Sequence, residues 1–188
     1  GNIVLMSQAA FDGDLARVLH YLVPLLSFAL GVAVAEAIHI RYREAKRLHW
    51  RQLVLVVEIL LLFGVGFLPN TLDLAANALV SFACAMQVQA FRKVHGYPFA
   101  STMCIGNMRS GMESLVVYFH LQDKKVLHKA LHYFGVILLF AIGAGVGAHC
   151  VGVFGNKTIW FSCALLLVSL CFMFIKEDLP EIEEELKK

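Results

Sequence analysis

The residues able to do chemistry are few, and most of them stand inside apolar sequence. One dipeptide occurs at two places, as Gly1-Asn2 and Gly106-Asn107, each ahead of an apolar segment. Asn is a preferred helix N-cap, and Gly lets the backbone turn and approach a ligand closely. The first N–H groups of the following helix, from Met108 onward in the second copy, then lack intrahelical partners and carry partial positive charge. An anion, a carboxylate or the negative end of a polar solute suits such a place. The competing reading is that Gly-Asn only caps a helix that packs tightly.

Arg109 and Glu113 are four residues apart, so they share a helix face and can pair. Ionisable groups inside a membrane are functional candidates; a helix lying shallow enough for both to reach headgroups is the alternative. Their counterparts after the first Gly-Asn are Val4 and Gln8, so the charge sits on one copy only. Glu58 lies in Val56-Val57-Glu58-Ile59-Leu60. A bare carboxylate there is costly, so it is expected to face other helices and be paired or protonated. It is a candidate proton-coupling group, or else a structural partner for Asn77, Gln87 or Arg109. Asp73 and Asn77 read as helix-start and interface residues, and Glu36 as a partner of the arginine-rich segment that follows it. The five cysteines form no C-x-x-C pair and behave as small hydrophobes. The eight histidines fall mostly near the ends of apolar runs, and no haem, metal or other cofactor is expected.

The setting of these residues is 188 positions that are 59% hydrophobic and 16% charged. A soluble domain is about half apolar and about a quarter charged, so soluble and disordered classes are excluded together. A net charge of +2 is too small for a phosphate-binding surface, so no nucleic-acid partner is expected. Five stretches can cross about 30 Å of hydrocarbon with flanking residues and tilt. They are span A, Leu22–Ile40; B, Gln52–Leu68; C, Leu74–Phe91; D, Ala130–Phe154; and E, Thr158–Ile175. The segment Tyr97–Leu121 is broken by Pro98, Gly106, Arg109, Gly111 and Glu113. The tail Lys176–Lys188 reads as a charged helix with Pro180 in its first turn.

An internal repeat organises these spans. Leu19–Gly31 aligns with Leu131–Gly143 with seven of 13 residues identical, against roughly one or two expected from composition alone. The order Gly-Asn, short helix, span, span occurs twice, and span C precedes only the second copy. A first span ahead of Gly1 is therefore expected, giving two three-span halves. Of the 16 cations, 13 fall in segments that the positive-inside rule places on one side. A and D then run in opposite directions, which makes the repeat inverted. Tyr97–Leu121 has basic residues at both ends and so enters and leaves on one side, as a re-entrant or surface element. Gly31-x-x-x-Ala35 and Gly143-x-x-x-Gly147 align in the repeat and allow close backbone approach, with A and D expected to cross there.

Thr102-Met103-Cys104-Ile105-Gly106-Asn107-Met108-Arg109 resembles the second T-x-x-T-G-N-type motif of the YoaK-like family of bacterial inner-membrane proteins, described only as a domain of unknown function. Gly1-Asn2-Ile3-Val4 resembles the tail of that family's first motif. Ile105 stands where a Thr is usual, and the first motif lacks its Thr. The resemblance covers essentially the whole chain and implies six spans with no settled activity.

The expectation is an all-α polytopic membrane protein: a half-repeat at 1–70 without its first span, a second at 71–175, and a cytoplasmic tail at 176–188. The leading functional reading is a small-solute transporter or channel of the bacterial inner membrane, with a cytoplasmic C-terminus. An anionic or polar solute would be held near the midplane by Gly1, Asn2, Thr102, Gly106, Asn107 and Arg109. Glu58, Glu113 and Asn77 would serve as proton-coupling or buried polar groups. Its partners would be membrane lipids and the solute, and a homo-oligomer is compatible with the chain. The alternatives are a non-transporting scaffold that docks partners through the basic loop and acidic tail, and a membrane enzyme. For the enzyme, Ser101, Thr102 and Cys104 lack an identifiable His–carboxylate partner.

Overall fold

A computed structural model describes residues 2–42, 49–94, 97–98 and 104–185. It is all-helical apart from a two-residue antiparallel ladder, Lys93–Val94 (β1) with Tyr97–Pro98 (β2). Seven α-helices follow one another among the described residues: α1 Asn2–Phe11, α2 Leu15–Tyr42, α3 Trp50–Val65, α4 Asp73–Ala90, α5 Cys104–Leu121, α6 Lys124–Phe154 and α7 Ile159–Glu185. They form two compact units, one comprising 1–90 with 156–188 and the other 91–155.

The first unit is built on α2, α3, α4 and α7. Gly13, at φ +74°, turns the chain out of α1, and Asp14 caps α2 by accepting from the Arg17 N–H at 3.0 Å. At the start of α3, His49 Nδ1 accepts from the Arg51 N–H while Gln52 Oε1 accepts from the His49 N–H, a reciprocal capping box. The apolar stripe of α3, at Val54, Leu55, Leu62 and Val65, is buried at helical spacing.

Cross-helix contacts set the directions. Gly31 of α2 lies against Phe82 and Ala85 of α4, and Glu36 meets Gln89 further along, so α2 and α4 run parallel. Arg51 at the start of α3 donates from Nε to the Ala90 carbonyl at the end of α4, 3.1 Å away, so α3 runs against both. Cys163 Sγ approaches the Ile59 carbonyl at 3.9 Å and Trp160 Nε1 donates to that of Phe63 at 3.3 Å. Asn156 Nδ2 donates to that of Leu68 at 3.3 Å, which makes α7 antiparallel to α3.

The second unit is the ladder and an α-helical hairpin of α5 and α6. Gln122, at φ +53°, and the N-cap Asp123, accepting from the Lys125 N–H at 2.9 Å, make its turn. Asn107, Gly111 and Ser114 form the buried stripe of α5, and Ala130 and Tyr133 are the buried positions of α6. Beyond them, Leu138, Leu139, Phe140, Ile142 and Val146 are exposed.

By length and composition, two helical stretches among the described residues are able to cross a membrane: Leu15–Tyr42 and Lys124–Phe174. The second passes through Gly155, whose φ of +58° interrupts the helix between α6 and α7. Helix α3 has 16 residues and at 1.5 Å per residue reaches only about 24 Å, while α4 carries Asp73, Asn77, Gln87 and Gln89. Helix α7 continues to Glu185, so Pro180 is not in a first turn as expected, and no separate tail helix begins after Ile175.

Candidate functional site

The second Gly-Asn does not open its helix. α5 begins at Cys104, so Gly106 and Asn107 occupy its first turn, and the N–H groups at its free end belong to Cys104 through Gly106 rather than to Met108 onward. Of the interruptions expected at Pro98, Gly106, Arg109, Gly111 and Glu113, the last four do not break the helix: α5 is continuous from Cys104 to Leu121. Asn107 is therefore not an N-cap. Its side chain is carried inward at 3% exposure on the face shared with Gly111 and Ser114.

That face meets α6 closely. A Cβ at Gly111 would lie 3.2 Å from the Phe134 ring and 3.3 Å from Tyr133 Cβ, so glycine sets the helix separation. Ser114 Oγ donates back to the Ser110 carbonyl at 2.8 Å, and Tyr133 is 2% exposed. Asn107, Ser114 and Tyr133 thus place amide and hydroxyl groups in a seam between two apolar helices. Arg109 and Glu113 share the opposite, exposed face, and no ion pair joins them.

The first Gly-Asn differs. Gly1 and Thr102 lie outside the described residues, as does Ser101. Asn2 is the first residue of α1 and is exposed, whereas its repeat twin Asn107 is buried. The register is kept further along, where Ala9 and its twin Ser114 are both buried.

In the other unit, Glu58 is 2% exposed on α3, and its Oε2 has no hydrogen-bond partner. Cys84 of α4 and Cys163 of α7 lie within electrostatic reach of this carboxyl. Of the partners expected for it, Asn77 is exposed and Gln87 makes no bond to it. Glu36, expected to meet the arginine-rich segment, receives the Gln89 side-chain amide and lies 3.4 Å from His39 Nδ1. The His39 ring lies tilted against Trp50, with centroids 4.3 Å apart, and the Trp50 ring also carries the Arg51 guanidinium at 5.3 Å.

Sequence reasoning missed this cluster because its members come from three helices and share no spacing. The signal available was a run of polar and aromatic residues at matching ends: Glu36 and His39, Trp50 and Arg51, Gln89. Reasoning also missed Trp160, whose indole lies over Gly66 and packs with Phe63 and Phe67 at the far end of α3. The close approach made by Gly31 is to α4, and Ala35 is fully buried, whereas a Cβ at Gly143 or Gly147 would meet nothing within 4 Å. No group of three or more His, Cys, Asp or Glu side chains able to hold a metal occurs among the described residues.

Fold and site together define a helical protein in which a few polar side chains are buried among apolar helices, two stretches of which have membrane-crossing length. The chain belongs to the family described as Protein of unknown function (DUF1275), whose model matches residues 1–172, as the motif around Gly106-Asn107 led one to expect. No curated protein and no solved structure matches it.

Proposed function

We propose that this protein is a small-solute transporter or channel of the bacterial inner membrane, acting on an anionic or polar molecule. The observation that carries the reading is Asn107: an amide buried in the first turn of a helix, beside main-chain N–H groups that favour negative charge. Gly106 and Asn107 bind the solute and Arg109 supplies positive charge at the mouth; Thr102 and the Gly1-Asn2 copy are further candidates by sequence.

The chain crosses the membrane several times, in two inverted halves, with lipid covering exposed side chains such as Leu138, Leu139 and Phe172. The parallel course of α2 and α4, opposite to α3, supports this sidedness, with Arg41 and Arg51 at the cytoplasmic end.

The test is flux through the full chain reconstituted in phosphatidylethanolamine–phosphatidylglycerol vesicles, using labelled acetate, chloride, sulfate and phosphate as probes. At least one should move faster than in protein-free vesicles, and Asn107→Ala should reduce that rate by on the order of tenfold or more while the protein stays folded. No flux of any probe, or flux indifferent to Asn107→Ala, refutes the assignment and favours a scaffold.

A further inference from the structure

We propose that Glu58 is a proton-carrying site, loaded from the end of its unit that bears Glu36, His39 and Gln89. Its use in driving solute movement rests on the transporter reading; its protonation chemistry does not. Among the described residues, the buried side-chain oxygens without a partner are Glu58 Oε2 and Thr158 Oγ1. Other buried polar side chains are held, as Gln52 is by the His49 N–H and Ser114 by the Ser110 carbonyl. A carboxyl with an idle oxygen, enclosed by Leu55 and Leu62 on its own helix, is the exception.

The surroundings select the cation. The titratable groups facing Glu58 are Cys84 from α4 and Cys163 from α7. Helix α2 offers none at that level, where it presents Gly31; its own titratable side chains lie nearer its ends, with Tyr21 on one side and Glu36 and His39 on the other. Among the described residues, no Lys or Arg forms an ion pair with the carboxylate. A sodium or alkaline-earth ion requires about six oxygen ligands, whereas two thiols and aliphatic side chains supply none. A proton needs only the carboxylate itself.

The route is asymmetric. Toward the α1–α2 turn end, α3 continues with buried Leu62 and Val65, and Phe63, Phe67 and Trp160 form an aromatic cluster that offers no proton-carrying group. Toward the other end, Gln87 and then Gln89 follow Cys84 along α4, and Gln89 is bonded to Glu36. Cys84 to Gln89 is five residues, about 7.5 Å of helical rise, a distance that the proposed relay crosses through water. Glu36 and His39 are partly exposed, at 39% and 25% of their side chains, so they meet solvent and bundle together. In the proposed transfer an N–H bond of protonated His39 breaks, intervening water relays the proton, an O–H bond forms at the Glu58 carboxylate, and a hydronium ion from solvent returns a proton to the ring and leaves water.

Dicyclohexylcarbodiimide adds only to protonated carboxyls in apolar surroundings, so it reads the site without reference to transport. The full chain in the same vesicles is treated with it and mapped by mass spectrometry; Glu58 should be labelled, excess sodium chloride should not protect it, and Glu58→Gln should abolish the adduct. Infrared detection of the carboxyl C=O shift in deuterium oxide then gives the exchange rate. His39→Phe and Glu36→Gln should each slow that exchange by on the order of 100-fold, while Trp160→Phe at the other end leaves it unchanged. An unlabelled Glu58, protection by sodium, or exchange slowed by Trp160→Phe and not by His39→Phe overturns the proposal. Labelling with normal exchange but no solute flux leaves the proton site standing and removes the transporter reading.

Discussion

Gly31→Ala is the substitution whose consequence follows most directly from geometry. A Cβ at that position would stand 2.8 Å from Ala85 Cβ and would overlap the Phe82 carbonyl oxygen, on the neighbouring helix α4. Carbon atoms rest about 3.5–4.0 Å apart, so the two helices must separate locally by about 1 Å. On the same two helices Ala35, Ala83, Ala85 and Met86 are all fully buried. A gap of that size forfeits a quarter to a half of each contact, and over a few tens of atom pairs the loss comes to about 1–3 kcal/mol, the range seen for overpacked cores. The obstructing atoms include main chain, which has no rotamer by which to yield. For a chain of this length about 2 kcal/mol corresponds to a fall of roughly 4–8 °C in Tm.

Gly143 supplies the internal control. It is the repeat twin of Gly31, and a Cβ there meets nothing within 4 Å. Gly143→Ala should therefore leave Tm unchanged or raise it, since Ala is favoured over Gly in a helix by up to about 1 kcal/mol. Thermal unfolding of both variants in dodecyl maltoside, followed by far-ultraviolet circular dichroism, decides the matter. Equal falls for the two variants, or an unchanged Tm for Gly31→Ala, would refute the reasoning.

Trp160→Phe removes the indole N–H donated to the Phe63 carbonyl and should cost about 0.5–1.5 kcal/mol, read as a lowered Tm; an unchanged Tm would show that the bond contributes nothing. Arg109→Ala combined with Glu113→Ala should stay within about 0.5 kcal/mol of the parent in stability, because both side chains are exposed and unpaired. A large loss in the same unfolding assay would mean that the two are paired in the folded protein.

Much of this architecture was legible because apolar runs and their polar interruptions are local. The helices around Leu22–Ile40 and Ala130–Phe154 follow from hydropathy, and the burial of Glu58 follows from its apolar neighbours on α3. The start of α5 was misplaced because Gly106-Asn107 has the composition of a cap, and tertiary burial of Asn107 outweighed that local preference. The Glu36–Gln89 bond and the seat of Trp160 over Gly66 were not legible, since each joins residues far apart in sequence whose types are common in interfaces. The repeat was legible as a similarity of sequence, but similarity did not carry environment. Asn2 and Asn107 align yet differ in burial, as do Gly31 and Gly143.

The first unit is discontinuous: α7 packs on α3, although the whole of 91–155 lies between the first four helices and α7 in the chain. During synthesis α1 to α4 can associate early, since the seam of Gly31 with Phe82 and Ala85 lies wholly within the first ninety residues. The α3 face at Ile59 and Phe63 and the Leu68 carbonyl must wait, uncovered, until the last helix is made. The α5–α6 hairpin, contiguous and closed by its own turn, is free to form in that interval. A ribosome stalled or a chain cut before Asn156 would therefore release a protein with one finished hairpin and one unsealed bundle, the sort of intermediate whose uncovered apolar surface is prone to aggregate.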